Sequence, residues 1–207
     1  MSNPWLDIPL ADYEGHMSLP EVGQAPLLAQ IFDSAVKRWS PANIALIGCA
    51  GGNGFERLAA GTLDRLVGVD VNPDYIEQAR GRHAWRLPNI ELLCADVQSR
   101  SLRYGPVDFT YAALLFEYVD MAAALDTLKR NSRPNARLTT VVQLAHSTLT
   151  PVSRSPYRSL GRLESIMKLV APEKLRDAAA QVGFAHDDSE ILTLASGKQF
   201  CVQNFRA

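Results

Sequence analysis

The sequence lacks an excess of charge of either sign. Its 207 residues include 21 lysines and arginines and 22 aspartates and glutamates, so the formal net charge is -1. Such a balance produces no long-range field that would gather nucleic acid or an anionic membrane. We therefore expect neither as a partner, and a small molecule becomes the expected ligand.

Cysteine is rare, and a long apolar run and a targeting leader are missing. The three cysteines, Cys49, Cys94 and Cys201, form no C-x-x-C pair and lie in or beside apolar segments, which predicts buried free thiols and no metal site. No apolar run reaches about 18 residues, and no basic-then-apolar segment opens the chain. We expect a cytoplasmic protein, and the sequence carries no sign of its oligomeric state.

The segment 43–72, NIALIGCAGGNGFERLAAGTLDRLVGVDVN, organises the chain. Residues 44–47 and 65–69 are short apolar runs, which predict strands buried on both faces. Four of the seven residues after the first run are glycines, so we predict a tight turn on which a ligand can lie directly. Residues 55–60 are predicted as a helix whose first amides face that turn. Asp70, at the tip of the second strand, is placed to accept hydrogen bonds from two ribose hydroxyls.

These features predict a nucleoside ligand and leave its class open. A dinucleotide fingerprint has the form G-x-G-x-x-G, whereas Ala50 occupies the place of its second glycine. A nicotinamide dehydrogenase therefore stays one alternative. Residues 190–195 and 199–205 flank a Ser-Gly turn and predict a C-terminal hairpin, whereas the last strand of an ordinary dinucleotide-binding sheet is parallel.

The glycine loop, the segment GVDVNPDYIEQAR and the later segment CADV together resemble the class I S-adenosylmethionine-dependent methyltransferases. The motifs cover residues 42–144, and the order of elements follows the family over the whole chain. The resemblance implies a doubly wound α/β fold: a mainly parallel seven-stranded sheet with helices on both faces and a C-terminal antiparallel hairpin. It also implies S-adenosylmethionine as the cofactor and a small-molecule methyl acceptor as the partner. A non-catalytic protein that binds this cofactor remains the main alternative.

The resemblance further implies which residues hold the cofactor. Asp96, one residue past the third strand, matches the family position that accepts a hydrogen bond from the adenine amino group, with Val97 beside the ring. Capping of a following helix is the alternative role for Asp96. In the family, the segment after the fourth strand lies where the methyl group meets the substrate. The predicted cofactor-binding residues are Gly48, Cys49, Ala50, Gly51, Asn53, Asp70, Val71, Asp96, Val97, Leu114 and Glu117.

Two departures from the family pattern bear on the site. Leu46 stands where many members carry an acid, so the ammonium group of the methionine moiety needs backbone carbonyls or another acid, with Glu14 and Glu117 as candidates. No N/D-P-P-Y/F motif follows the fourth strand. Its absence and the balanced charge argue against a nucleic-acid base as the acceptor.

We expect one domain: an N-terminal arm and helix (1–41), a cofactor-binding core (42–146), a substrate-side insert (147–171), and a last helix with the hairpin (172–207). The first twenty residues predict an irregular arm, and the helix after them is predicted to start at Pro20. The arm and the insert are both expected to lie over the carboxyl ends of the strands.

Substrate-binding and catalytic candidates come from these two covering segments. If the insert is helical, Arg154, Arg158 and Arg162 line one face, which is either a site for an acidic substrate or merely solvated. A sulfonium is already an activated methyl donor, so alignment is the main task and a base is needed only for an acceptor that loses a proton. His16 in the arm and His146 after the fifth strand are the candidate bases, each with a packing or surface role as the alternative. The predicted substrate-binding residues are Tyr13, His16, Tyr118, Arg154 and Arg158.

Overall fold

The computed structural model describes residues 3–59, 61–153 and 155–207, and its centre is a seven-stranded sheet in the order β3-β2-β1-β4-β5-β7-β6. The strands are β1 (Asn43–Ile47), β2 (Arg65–Asp70), β3 (Ile90–Cys94), β4 (Val107–Ala113), β5 (Ser132–Gln143), β6 (Ala185–Thr193) and β7 (Gln199–Arg206). The helices are α1 (Leu10–Ser18), α2 (Gln24–Trp39), α3 (Pro73–His83), α4 (Met121–Arg130) and α5 (Pro172–Gln181).

The first five strands are parallel, and β7 runs antiparallel to both β5 and β6. This arrangement confirms the predicted mainly parallel sheet with a C-terminal hairpin. The chain leaves the central strand β1 towards β2 on one side and returns on the other side through β4. The strand order therefore reverses between β1 and β4, where open α/β sheets bind their ligands.

Residues of β1 alternate between two hydrophobic clusters, which explains why the strand is apolar at every position. Ile44 and Leu46 join a cluster that includes Phe32 of α2 and Ile76 of α3. Ala45 and Ile47 join the cluster beneath α4 and α5 on the opposite face. Helices thus cover both faces of the sheet, as predicted.

Side-chain caps and one glycine define the ends of several helices. The Asp120 carboxylate accepts a hydrogen bond from the Ala123 amide at 2.8 Å and caps α4. The Asn72 side chain caps α3 in the same way, through the amide of Asp74 at 2.9 Å. Gly183, at φ 88°, follows α5 in the left-handed conformation that favours glycine.

The helix predicted over residues 55–60 is wrong. Only a 3-10 helix, Phe55–Arg57, forms, and Leu58 is already extended. Residue 60 lies outside the described residues. A six-residue helix recovers too few hydrogen bonds to offset the cost of starting it. Here Arg86 donates instead to the carbonyls of Phe55 and Leu58, both at 2.5 Å.

The prediction of an irregular N-terminal arm is also wrong, because the arm contains a 3-10 helix (Pro4–Asp7) and α1. The helix expected to start at Pro20 begins at Gln24, since the backbone turns after Leu19: the amides of Val22 and Gly23 donate to its carbonyl at 2.9 and 2.7 Å. The insert contains a 3-10 helix, Arg158–Ser165.

The cysteines were all predicted to be buried, which holds for Cys49 and Cys201 but is wrong for Cys94. Cys94 is exposed because it ends β3, an edge strand of the sheet. Across the described ranges, no group of three or more His, Cys, Asp or Glu side chains is arranged to hold a metal ion. Within those same ranges, no helix has the length and apolar character needed to cross a bilayer.

Candidate functional site

A cavity opens where the strand order reverses, at the carboxyl ends of β1, β2 and β4. This first cavity contains about 740 Å³ of empty space, counting its open mouth. Its walls are Asn3, Trp5, Tyr13, Ile47, Gly48, Ala50, Val69, Asp70, Val71, Tyr75, Ala95, Asp96, Val97, Gln98, Ala113, Leu114, Leu115, Tyr118 and Val119.

Asp70 lies in the wall of the first cavity and also shapes it. One carboxylate oxygen accepts a hydrogen bond from the Ala50 amide at 2.8 Å, and the other accepts from the Asn72 amide at 2.9 Å. Burial raises the pKa of Asp70, and these amides act in the opposite direction. Each oxygen retains a further acceptor site, so the carboxylate can also bind hydroxyl groups of a ligand.

Two non-glycine residues in the same wall have left-handed backbones. Ala50 lies at φ 46° in the glycine loop, and Leu114 lies at φ 50° directly after β4. Strained residues of this kind cluster at binding and catalytic sites, because packing around the site holds them in place. Gly48, at φ 72°, is exposed and lines the cavity, so a ligand can contact its backbone directly.

Asp96 and Val97 follow β3 and flank the cavity beside Val71. Asp96 is exposed, and one of its oxygens accepts from the Gln98 amide at 2.8 Å. Asp96 therefore does have the capping role that we considered as its alternative, although it caps a turn and not a helix. The second oxygen of Asp96 has only a long contact, 3.3 Å, with the Gln98 side chain.

The N-terminal arm covers the first cavity through Trp5 and Tyr13. The Asn72 side chain donates to the Trp5 carbonyl at 2.9 Å, and the Tyr75 hydroxyl donates to the Ile8 carbonyl at 2.9 Å. Leu10 packs against Tyr75 and the glycine loop. The arm is thus fixed to α3, directly above the ends of the strands.

A second cavity adjoins the first, and the insert covers it. It encloses about 470 Å³, counting its open part. Its walls are Trp5, Tyr13, His16, Met17, Gln24, Leu114, Tyr118, Gln143, Pro151, Val152, Ser153, Leu160, Leu163, Met167 and Lys198.

Four residues line both cavities: Trp5, Tyr13, Leu114 and Tyr118. We call them the shared wall. The ring of Trp5 lies 5.6 Å from that of Tyr13 and 5.0 Å from that of Tyr118, centroid to centroid, in edge-on contacts. The two cavities therefore meet at a cluster of aromatic rings.

Two buried basic side chains line the second cavity. His16 is 5% exposed, and its Nδ1 has no hydrogen-bond partner among the described residues. Burial lowers the pKa of His16, Lys198 lowers it further, and Glu21 acts in the opposite direction. Lys198 is also 5% exposed, donates to the Pro151 carbonyl at 2.6 Å, and has a pKa lowered by burial to about 8.

Three predicted cofactor-binding residues of the glycine loop lie outside the first cavity. Cys49 is buried in the cluster beneath the loop. Gly51 and Asn53 face a separate surface groove. Glu14, a candidate for the ammonium group, lies in that groove and pairs with Arg82 at 2.5 Å.

Glu117, the other acid considered for the ammonium group, is buried and lines neither cavity. One of its carboxylate oxygens accepts from the Gln143 amide at 2.8 Å, and the other has no partner in the described ranges. Burial raises the pKa of Glu117 to about 7. Glu117 thus binds the backbone of Gln143, which lines the second cavity. The predicted contact of Glu117 with the cofactor stays a prediction.

The remaining candidates that the structure describes are not brought to the cavities. His146 is exposed and contacts the Thr148 amide at 3.2 Å. Arg158 is exposed, and Arg162 pairs with Asp7 at 3.1 Å. The prediction for Arg154 lies outside the described residues. A 3-10 helix repeats every three residues, so a four-residue arginine spacing does not align on one face.

The sequence did not allow us to predict several of the residues that line the two cavities. Trp5 comes from a segment with no glycine or acid motif, and only its aromatic character was a signal. Tyr75 lies in the motif segment GVDVNPDYIEQAR, but no role at the site was predicted for it. Lys198 follows the Ser-Gly turn, where a lysine is ordinarily exposed, so nothing in the sequence marks it as buried. Gln24 and Gln143 likewise carried no signal.

Comparison with known proteins agrees with this geometry. Residues 44–135 match a family model described as a methyltransferase domain. No curated protein sequence matches the chain. Among solved structures, N-methyltransferase NodS from Bradyrhizobium japonicum WM9, in complex with S-adenosyl-L-homocysteine, is similar with a TM-score of 0.67 and 19% identity, covering 100% of this chain and 92% of that one.

Two further structures share the fold. The [4+2]-cyclase SpnF has a TM-score of 0.67 and 14% identity, covering 86% of this chain and 80% of its own. An S-adenosylmethionine-dependent methyltransferase from Mesorhizobium loti has a TM-score of 0.62 and 17% identity, covering 84% and 96%. Because one relative is a cyclase, the fold alone does not define methyl transfer.

The family model thus identifies a methyltransferase domain over residues 44–135, and the solved structures share the fold that the motifs predicted. The methyltransferase domain and the complex of NodS with S-adenosyl-L-homocysteine support the expected cofactor, S-adenosylmethionine.

Proposed function

We propose that the chain transfers a methyl group from S-adenosylmethionine, bound in the first cavity, to a small molecule bound in the second. The observation that carries this proposal is the shared wall, because Trp5, Tyr13, Leu114 and Tyr118 line both cavities. A donor and an acceptor bound on either side of this junction would meet there. Such alignment accounts for much of the acceleration when the donor is already activated.

The first cavity fits the cofactor at each of its parts. The buried Asp70 carboxylate offers free acceptor positions to the two ribose hydroxyls. Asp96 offers an acceptor to the adenine amino group, and Val97 supplies an apolar surface for the ring. The open backbone at Gly48 leaves room for the methionine end.

The bound cofactor supplies a methyl group on a positively charged sulfur. Aromatic rings attract such a cation when it lies over their faces, and Trp5, Tyr13 and Tyr118 surround the junction. Leu114 completes the wall and helps to keep water from the reacting atoms.

His16 is the proposed base for an acceptor that loses a proton. In that case the acceptor oxygen bonds to the methyl carbon while the carbon–sulfur bond breaks, and the hydroxyl proton passes to His16 Nδ1. The products are a methyl ether, S-adenosylhomocysteine and a protonated His16. Its buried, unpartnered Nδ1 and lowered pKa support this role, since the ring is then neutral at pH 7.

A small acceptor suits the second cavity better than a macromolecule, because the cavity is covered. Ile8 of the arm packs with Leu160 and Leu163 of the insert over it. Concave sites of this kind bury most of a small ligand. The free thiols of Cys49, Cys94 and Cys201 further support a reducing compartment such as the cytoplasm.

The two-cavity assignment is tested by blocking only the second cavity. Met167 is half-buried and lines that cavity alone, so Met167→Trp should fill it. We expect methyl transfer to fall at least 100-fold, while calorimetry gives an S-adenosylhomocysteine affinity within about twofold of the unaltered protein. Ile166→Trp, the matched control, lies next in the chain but lines neither cavity and should retain transfer.

Two results would contradict the assignment: unchanged transfer by a folded Met167→Trp protein, or a parallel loss of cofactor affinity. Calorimetry with a nicotinamide dinucleotide separates the remaining classes. A preference for that ligand over S-adenosylhomocysteine would restore the dehydrogenase alternative. Tight binding of S-adenosylhomocysteine without turnover would favour a non-catalytic binding protein.

A further inference from the structure

One end of the second cavity is polar, although its side chains are buried. His16, Gln24, Gln143 and Lys198 are each 4–6% exposed, and all four line the cavity. We call this group the polar end. The amides of Gln24 and Gln143 contact each other at 3.5 Å, and the Gln143 amide donates to the Pro151 carbonyl at 3.1 Å.

Lys198 supplies the positive charge of the polar end. Its ammonium group has three donors, and the structure assigns one to the Pro151 carbonyl. Within the described ranges, no carboxylate pairs with it. The pKa of about 8 leaves the group mainly charged at pH 7. A buried cation with no anion is costly, so the polar end is suited to an anionic ligand.

The other residues that line the second cavity determine what kind of anion fits. Met17, Leu160, Leu163 and Met167 make the body of the cavity apolar. His16 has a pKa lowered below its usual value, so Lys198 is the one charge of the polar end at neutral pH. One cation beside an apolar body matches one carboxylate on an apolar skeleton better than a multiply charged phosphate.

The sheet topology orients such a ligand. Leu114 follows β4, Gln143 ends β5, and Lys198 immediately precedes β7. These strands are consecutive neighbours, so the backbones of Lys198 and Leu114 in the shared wall lie at least two strand spacings, about 10 Å, apart. A carboxylate at Lys198 therefore leaves the other end of the ligand at the junction with the first cavity.

We propose that the methyl acceptor is a small organic acid with an apolar body, held by its carboxylate at Lys198 and presenting a different atom to the methyl group. This inference rests on the proposed function and names its substrate class. Lys198 replaces Arg158 and Arg162 as the proposed anion site, since Arg158 is exposed and Arg162 already pairs with Asp7.

The test uses two pairs of probes that differ only in charge: phenylacetate with phenylacetamide, and 3-methylbutanoate with 3-methylbutanamide. Ligand-observed NMR titrations on the full chain saturated with S-adenosylhomocysteine give the affinities. We expect each acid to bind at least tenfold more tightly than its amide at pH 7. The preference should shrink above pH 8, because Lys198 then loses its proton.

Lys198→Met should reduce the acid-to-amide ratio to near one without changing S-adenosylhomocysteine affinity, which also reports that the variant is folded. Lys198→Gln provides a second neutral variant with a polar end group. Lys168→Met and Arg158→Gln remove exposed positive charges from the insert and should leave the ratio unchanged.

Three outcomes would overturn the inference: no preference for the acid in either pair, a preference that survives in both Lys198 variants, or one that disappears in Arg158→Gln. None of them affects the proposed function, which the binding of S-adenosylhomocysteine and methyl transfer test separately. Failure to bind S-adenosylhomocysteine in the unaltered protein would count against the proposed function itself.

Discussion

At the scale of single residues, Asp70 combines two tasks. Its carboxylate fixes the glycine loop through the Ala50 amide and the next turn through the Asn72 amide. Asp70 also lines the first cavity, where we propose that the ribose lies. We therefore propose that recognition of the ligand and formation of the loop depend on the same buried acid.

Asp70→Ala should weaken S-adenosylhomocysteine binding at least tenfold. Charge-assisted hydrogen bonds to two hydroxyls contribute roughly 1.5–3 kcal/mol, and the loop also loses an anchor. Isothermal titration calorimetry measures the loss, and circular dichroism checks the fold. Asp74→Ala removes an exposed acid four residues away and should bind normally. A folded Asp70→Ala protein with normal affinity would reject the ribose placement.

The pKa of His16 predicts how the rate of methyl transfer should depend on pH. Burial and Lys198 lower its pKa below the ordinary 6.5, so its neutral form persists to lower pH. With a hydroxyl acceptor, kcat/KM should decline as pH falls through this lowered pKa. It should remain level above pH 6.5, where the ring is already neutral, until Lys198 loses its proton near its pKa of about 8. The decline should be absent in His16→Ala.

In His16→Ala the rate with that acceptor should also fall by about 10²–10⁴, the range for loss of a general base. His146→Ala changes an exposed histidine and serves as the control. Rapid turnover by His16→Ala would leave alignment as the whole explanation and remove His16 from the mechanism.

Residues at strand tips were predictable from sequence, whereas the polar end was not. Asp70 and Asp96 follow apolar runs, so their place at one edge of the sheet comes from local pattern alone. Lys198 follows a Ser-Gly turn, is buried, and donates to the Pro151 carbonyl of the insert. Such burial depends on long-range packing, which a single sequence does not display.

At the scale of elements, the glycine loop is held by side chains in place of a following helix. Arg86, just beyond α3, donates to the carbonyls of Phe55 and Leu58. His83 contacts the Gly51 carbonyl at 3.2 Å. The loop conformation thus depends on α3 and its C-terminal extension.

Arg86→Ala should loosen the loop. Loss of two charge-assisted hydrogen bonds to carbonyls should cost about 1–3 kcal/mol of unfolding free energy. Hydrogen exchange should accelerate at the amides of residues 52–58, and cofactor affinity should fall with it. Arg57→Ala, at an exposed arginine whose ion pair with Glu56 spans 3.7 Å, is the control. Unchanged exchange in Arg86→Ala would contradict this account of the loop.

The strands were predicted more accurately than the helices that cover the site. Apolar runs mark β1, β2 and β4 because both faces of each strand are buried. The arm gave no such pattern, since α1 buries only Leu10, His16 and Met17 and forms through tertiary contacts. Helix formation in such short segments follows from docking more than from intrinsic propensity.

At the scale of the whole molecule, the arm and the insert close over the carboxyl edge together. Asp12 of α1 accepts from the Ser159 hydroxyl at 2.6 Å, and Ile8 packs against Leu160 and Leu163. Asn72 binds the arm at the Trp5 carbonyl. The sequence resemblance predicted the mainly parallel sheet with its C-terminal hairpin, and these contacts add the two adjoining cavities that it did not predict.

The central claim is that the two cavities together carry out methyl transfer to a small molecule. The most direct measurement is transfer of a labelled methyl group from S-adenosylmethionine to a size-fractionated extract of cell metabolites. We predict label in a small organic-acid fraction, with at least tenfold less from the Asp70→Ala protein. No label in any small-molecule fraction, from a protein that binds S-adenosylhomocysteine tightly, would contradict the claim.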